Sequence, residues 1–116
     1  MIKVLLCDDD ESNRLTTSAL LEDEGFEVEL ASSFAEGRAK LSEPSAAYGL
    51  LILDQNLGDG LGSVLAGLAR ARLPAAPVLL LTGADQVDST SVDRVIQKGL
   101  GFDALLRAIH AVLRYD

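Results

Sequence analysis

The sequence predicts an α/β fold, a doubly wound parallel sheet sandwiched by helices. Three observations lead there. The runs 4–7, 49–53 and 77–81 are continuously apolar and of strand length, as expected of strands buried on both faces of a parallel sheet. Segments with helical spacing or helix caps lie between them. The runs end in Asp8, Asp54 and Thr82, and open α/β sheets bind ligands outside the carboxyl ends of their strands.

Each element has its own local reason. Ile2–Cys7 is the first buried strand. Asp10 is placed to cap a helix over Glu11–Glu24, a stronger reading for it than metal ligand, and Gly25 ends that helix. "FEVEL", Phe26–Leu30, alternates apolar and acidic residues and reads as a strand exposed on one face. Ser33 and Glu36 fit a capping box opening a helix to about Leu41. "GLLIL", Gly49–Leu53, is the next buried strand. The loop "DQNLGDGLG" follows, with Asp59–Gly60 as turn chemistry, then a helix through Arg72. "PVLLL", Pro77–Leu81, is a buried strand ending at Thr82, and "RVIQ", Arg94–Gln97, is a short strand of the interior or the edge. Phe102, Leu105, Leu106, Ile109, Val112 and Leu113 form the apolar stripe of a last helix. Right-handed crossovers leave few topologies for such an order.

Composition bounds the function. A chain of 116 residues suits one domain, residues 1–116. Hydrophobic content of 48% and a mean hydropathy of +0.23 argue against disorder. A net charge of −8 and a pI near 4.5 exclude direct nucleic-acid binding through a basic surface. They suit a metal cation or a basic protein patch. Cys7, the only cysteine, rules out an internal disulfide and reads as a small buried hydrophobe. No apolar run approaches the ~20 residues that span a membrane, so no membrane partner is expected. The expectation is a soluble cytoplasmic domain.

The stretch "KVLLCDDDES" sets Asp8, Asp9, Asp10 and Glu11 together with no basic residue among them. Carboxylates within ~5 Å repel by about 3 kcal/mol per pair at an effective dielectric near 20. The strand ends add Asp54, Thr82 and Lys98 to one small cleft. Paired carboxylates with an open rim suit Mg²⁺, which takes six oxygens and keeps several waters. Asp54 then serves as a carboxylate nucleophile, while Thr82 and Lys98 bind phosphoryl oxygens.

With "VLLCDDDESNR", "LLILDQNLGDGLG", "LLLTG" and "VIQKG" in this order, the chain resembles the response-regulator receiver domain of two-component signalling along essentially its whole length. The resemblance implies a flavodoxin-like five-stranded parallel sheet in the order 2-1-3-4-5. It implies Asp8 and Asp9 as the acidic pair, with Asp9 the direct Mg²⁺ ligand, and Asp54 as phosphoacceptor. The backbone carbonyl of Asn56 joins the metal, Thr82 is the switch hydroxyl and Lys98 binds phosphate. The partners implied are a histidine kinase or phosphotransfer protein and an unknown downstream protein. The chain would be a signalling domain rather than an enzyme, apart from self-catalysed gain and loss of its phosphoryl group.

Departures from the family pattern cluster away from the acids. Gly58 stands where Pro is usual, and Lys98–Gly99 replaces Lys-Pro. A cis bond without Pro costs about 2.5–4 kcal/mol, so Lys98 is expected on a trans peptide. Val95 occupies the aromatic switch position. Only 15 residues separate Thr82 from Lys98, and "GADQVDSTSVD" has no apolar helical face, so the family's fourth helix is expected to be short or absent. Two other functions compete. One is a binding module that keeps the fold and signals without phosphorylation, supported by Gly99, Val95 and the short segment. The other is a Mg²⁺-dependent phosphatase of the haloacid-dehalogenase type using Asp8, which leaves Asp54 idle and lacks the usual cap.

Overall fold

The computed structural model describes residues 1–114; the last two residues of the expected 1–116 domain lie outside the described residues. The strands are β1 Lys3–Cys7, β2 Glu27–Ala31, β3 Leu50–Asp54, β4 Val78–Thr82 and β5 Arg94–Gln97. The helices are α1 Glu11–Asp23, α2 Phe34–Ser42, α3 Gly62–Arg72 and α4 Phe102–Leu113. All five strands pair in parallel in the order β2-β1-β3-β4-β5. The register sets Val4 beside Val28 and Leu50, Leu51 beside Val78, and Leu79 beside Arg94.

Strand alternation divides the core in two. Leu5, Cys7, Leu51, Leu53 and Leu80 face Leu65, Ala66 and Ala69 of α3. Val4, Leu6, Ile52 and Leu79 face Leu21 of α1 and Leu105, Ala108 and Ile109 of α4. Each fully buried Leu or Ile contributes about 1.5–3 kcal/mol relative to exposure, which explains why the central strands read as unbroken apolar runs. Cys7 lies in this core with its thiol pushed up to about 12, chiefly by burial. It packs as a hydrophobe, as the sequence implies. No helix among the described residues is long and apolar enough to cross a membrane.

The local signals hold with informative exceptions. Asp10 caps α1 by accepting from the Asn13 amide at 2.9 Å, and Gly25 follows the helix at φ +93°. Ser33 accepts from the Glu36 amide at 3.0 Å, but the Glu36 carboxylate accepts from Ser32 Oγ instead of closing the box. Asp59 sits in the expected loop, yet its two oxygens accept from the Phe34 and Ala35 amides at 2.7 and 3.0 Å. These bonds hold its carboxyl below the usual carboxylate range. On β2 the acidic face is open as expected, with Glu27 exposed and the Glu29 side chain 37% exposed, and Glu29 accepts from Tyr48 and pairs with Lys3 at 3.4 Å. β5 is the edge strand, with Ile96 buried and Val95 40% exposed.

Between β4 and β5 the chain forms no helix, in line with the short apolar-poor segment. It runs instead as a strap whose Val87 and Val92 pack on the α3 side of the core. Arg70 of α3 donates to the Ser91 carbonyl at 3.2 Å and to Asp93 Oδ2 at 2.8 Å. The same oxygen accepts from the Val78 amide at 2.7 Å. Asp93→Ala therefore strips one acceptor from two donors and is expected to cost about 1–2 kcal/mol. Urea denaturation and amide exchange check this: faster exchange confined to residues 84–93 is expected, and unchanged exchange there would contradict the latch.

Candidate functional site

The chemistry-bearing side chains gather where β1, β3 and β4 end. Asp8, Asp54 and Thr82 are buried, and Asp9 is exposed at the rim. One carboxylate oxygen each from Asp8, Asp9 and Asp54 lies within 4.8 Å of the others. The turn from β1 into α1 builds one wall. The Asp10 amide donates to Asp8 Oδ1 at 2.9 Å, and Arg14 Nη1 donates to the Asp8 carbonyl at 2.8 Å.

Asp54 is held from the other side. Lys98 Nζ lies 2.8 Å from Asp54 Oδ1 and 2.9 Å from Oδ2. The Lys98 amide donates to the Thr82 carbonyl at 2.9 Å, continuing the β4–β5 ladder and aiming the lysine at the cleft. No cis peptide occurs among the described residues, so Lys98–Gly99 is trans as expected, and Gly99 takes φ +90°. Past Asp54, Gly62 donates to the Gln55 carbonyl at 2.8 Å and starts α3 directly against the strand end.

Charge in the cleft is unbalanced: three carboxylates face one ammonium. Burial raises the Asp8 carboxyl above its usual range, opposed by the Asp10 amide and reinforced by the charges of Asp54 and Asp9. For Lys98, burial works downward, but the hydrogen bond and charge of Asp54, with Asp8 and Asp9, outweigh it and raise the ammonium. Clustered hard oxygens left with net negative charge fit a dication such as Mg²⁺. A groove of about 400 Å³ opens beside the cleft, with Asn13, Thr16 and Thr17 on one wall and Phe102 and Leu105 on the other.

Of the residues singled out from sequence, Asp8, Asp9, Asp54 and Lys98 come together. Thr82 stands at the next strand end, one residue beyond Leu81, the register partner of Asp54. Its hydroxyl oxygen accepts from the Ala84 amide at 2.9 Å. Asn56 lies in the loop after Asp54, its amide 3.4 Å from Asp54 Oδ1 and its side chain bound by the Gly58 amide at 3.1 Å. Arg14 and Gly62 escaped sequence reasoning. Arg14 reaches back six residues, a spacing with no helical signature, and Gly62 reads as one more loop glycine.

A parallel sheet in the order 2-1-3-4-5 is the flavodoxin-like arrangement, and its carboxylates gather at the switch point between β1 and β3, where no glycine-rich phosphate loop follows β1. The family profile described as "Response regulator receiver domain" matches residues 4–110, and the chain belongs to that family. It is 29% identical to the cell cycle transcriptional regulator CtrA of Caulobacter vibrioides, over 97% of this chain and 51% of CtrA. The chain thus spans about half the length of that relative. Among solved structures it resembles the response regulator TrrA of Thermotoga maritima in complex with Mg²⁺-BeF, with a TM-score of 0.86 and 28% identity over 97% of this chain and 99% of that one. A CheY-like receiver domain protein of Methanospirillum hungatei gives a TM-score of 0.89 at 28% identity, covering 98% and 94%.

Proposed function

We propose that the chain is a phosphoacceptor of two-component signalling, taking a phosphoryl group onto Asp54 from a histidine kinase or phosphotransfer protein. The observation that carries this reading is the buried Asp54, gripped by Lys98 and within one oxygen cluster with Asp8 and Asp9. The Mg²⁺-BeF complex of TrrA lends support by similarity. Residues 1–116 act as one cytoplasmic domain that binds no nucleic acid itself and passes the signal to a downstream protein.

The chain's own residues divide the work. Asp8, Asp9 and Asp54, with the Asn56 carbonyl, would hold Mg²⁺. Bound there, the cation supplies positive charge that lets a phosphoryl dianion approach the acids. An Asp54 oxygen attacks phosphorus in line; its new O–P bond forms as the donor's N–P bond breaks, and the leaving imidazole nitrogen keeps that electron pair. Lys98 exchanges its two Asp54 contacts for phosphoryl oxygens. The Thr82 hydroxyl can donate to the new anion, shifting the loop it anchors through Ala84.

Thermal melting tests the metal-binding half. Ionised Asp8 is held at a cost, because its folded pKa is raised. That cost is present above the folded pKa and relieved as pH falls through it. Asp8→Asn is therefore expected to raise Tm near neutral pH without metal, with the gain shrinking on acidification toward the carboxylate range. The same variant should lose the Mg²⁺-dependent rise in Tm expected of the wild type. A wild type indifferent to Mg²⁺ would favour the phosphorylation-independent binding module.

A further inference from the structure

The outer face of α3 presents an apolar stripe that the folded domain leaves uncovered. Leu61, Val64 and Leu68 are 50%, 55% and 38% exposed, and Ala71 continues the stripe at helical spacing. Leu61 meets the cleft's loop only through a backbone bridge to Asn56; the side chains that gather in the cleft are those of Asp8, Asp9, Asp54 and Lys98. The stripe runs between two boundaries. On one side Arg70 and Gly67 meet the strap at Ser91. On the other, Arg72 reaches toward α2, donating to the Ser42 and Glu43 carbonyls at 3.2 and 3.5 Å.

Charge decides what can sit there. The chain carries −8 overall, yet α3 contains no acidic residue and ends in Arg70 and Arg72. Arg70 is paired with Asp93, whereas Arg72 and the exposed Arg38 of α2 form no ion pair among the described residues. Asp59 is exposed beside Arg38 and Ser42, but both its oxygens accept from the Phe34 and Ala35 amides, which leaves Arg38 and Arg72 as the charges free to pair; an apolar stripe so flanked selects an apolar partner with an acidic margin. Symmetry narrows it further. A two-fold pairing of two copies would set a surface with no α3 carboxylate, and with Arg38 and Arg72 at its margin, against itself.

We propose that this face docks one amphipathic helix of a partner protein, its leucine-type stripe lying along Leu61, Val64 and Leu68 and its acidic flank against Arg38 and Arg72. The mode is helix against helix, with anchors at i, i+3 and i+7. The basic margin restricts the contact to this face, since elsewhere the acidic surface repels such a helix over the ~8 Å Debye length of physiological salt. This contact is separate from phosphoryl chemistry at Asp54.

Fluorescence anisotropy with two synthetic helical peptides tests it, both carrying Leu at i, i+3 and i+7, one flanked by Glu and the other by Lys. The Glu-flanked peptide is expected to bind, more weakly as salt rises, and to lose about tenfold or more in affinity against Leu68→Asp. The double variant Arg38→Glu with Arg72→Glu should reverse the preference toward the Lys-flanked peptide. Asp54→Asn should bind as wild type does, which separates this contact from phosphoryl transfer. Circular dichroism confirms that each variant is folded. Equal binding of both peptides, no binding of the Glu-flanked one, or indifference to Leu68→Asp would overturn the proposal. So would a concentration-dependent dimer abolished by Leu68→Asp, which would assign the stripe to a second copy.

Discussion

Gly62→Ala is expected to destabilise the fold by about 3 kcal/mol or more, the largest effect of any single methyl group added to this chain. An added Cβ would lie 2.2 Å from the Asp54 carbonyl oxygen and 2.9 Å from both its carbonyl carbon and Leu80 Cδ1. The strand cannot give way, because Leu53 pairs with both β1 and β4 and the Gln55 amide donates to Leu81 at 2.8 Å. The helix must therefore move, breaking the bond from the Gly62 amide to Gln55 and disturbing the backbone that carries Asp54. Two other glycines calibrate the claim. At Gly37 the new atom would meet only side chains, Cys7 Sγ and Leu65 Cδ2, both at 2.9 Å, so about 1–3 kcal/mol is expected. At Gly99 it meets nothing within 4 Å, and φ +90° alone costs about 1–2 kcal/mol. Urea denaturation of the three variants should place Gly62→Ala lowest; a Gly62→Ala midpoint equal to that of Gly99→Ala would contradict the close approach.

Lys98→Ala is expected to slow phosphorylation of Asp54 by about 100-fold or more, the loss typical when a preorganised electrostatic donor is removed. Lys98 is the cation that touches Asp54, and it stands on the β5 end beside Thr82. Without it, two buried carboxylates and Asp9 face one another uncompensated. Because the Lys98 side chain is 44% exposed, the stability loss should be modest, about 1–2 kcal/mol, rather than that of a fully buried pair. Its pH dependence has a definite sign. Lys98 is raised in the folded state, so its contribution is present below its ordinary pKa of 10.5 and disappears as pH rises through the higher folded value. Removing the lysine also removes a competitor for the Asp54 oxygens, so Mg²⁺ affinity should rise while phosphorylation falls. Titration calorimetry and phosphorylation kinetics on one variant would show the two moving in opposite directions; a parallel fall in both would instead mean that the cleft has lost its shape.

Much of this architecture is legible in the residues because the strongest local signals agree with the global fold. The runs Val4–Cys7, Leu50–Leu53 and Val78–Leu81 are apolar because both faces of those strands are covered, and Asp8, Asp54 and Thr82 follow because the chain leaves the sheet there. Asp10 and Gly25 bound α1 as their types require. The absent helix before β5 is equally readable, since "GADQVDSTSVD" offers no face to bury. Contacts that join distant parts of the chain are what the sequence hides. Asp59 has the look of a turn residue, and only the fold brings α2 within its reach, 25 residues upstream. Asp93 likewise gives no hint that it binds both Arg70 and the backbone of β4. Glu29 alternates like a solvent-facing residue and stays partly exposed, and only the fold shows that Tyr48 and Lys3 bind it. Within the cleft, the acids and Lys98 were readable as types at strand ends. Arg14 and Gly62, which shape the cleft through backbone atoms, carried no such mark.

The most direct measurement is intact mass after incubation with Mg²⁺ and a small acyl-phosphate donor, comparing the wild type with Asp54→Asn. One added phosphoryl group on the wild type and none on Asp54→Asn is the expected result. An adduct on both chains, or a wild type that stays unmodified even when offered a phosphorylated histidine kinase with Mg²⁺, would contradict Asp54 as the acceptor.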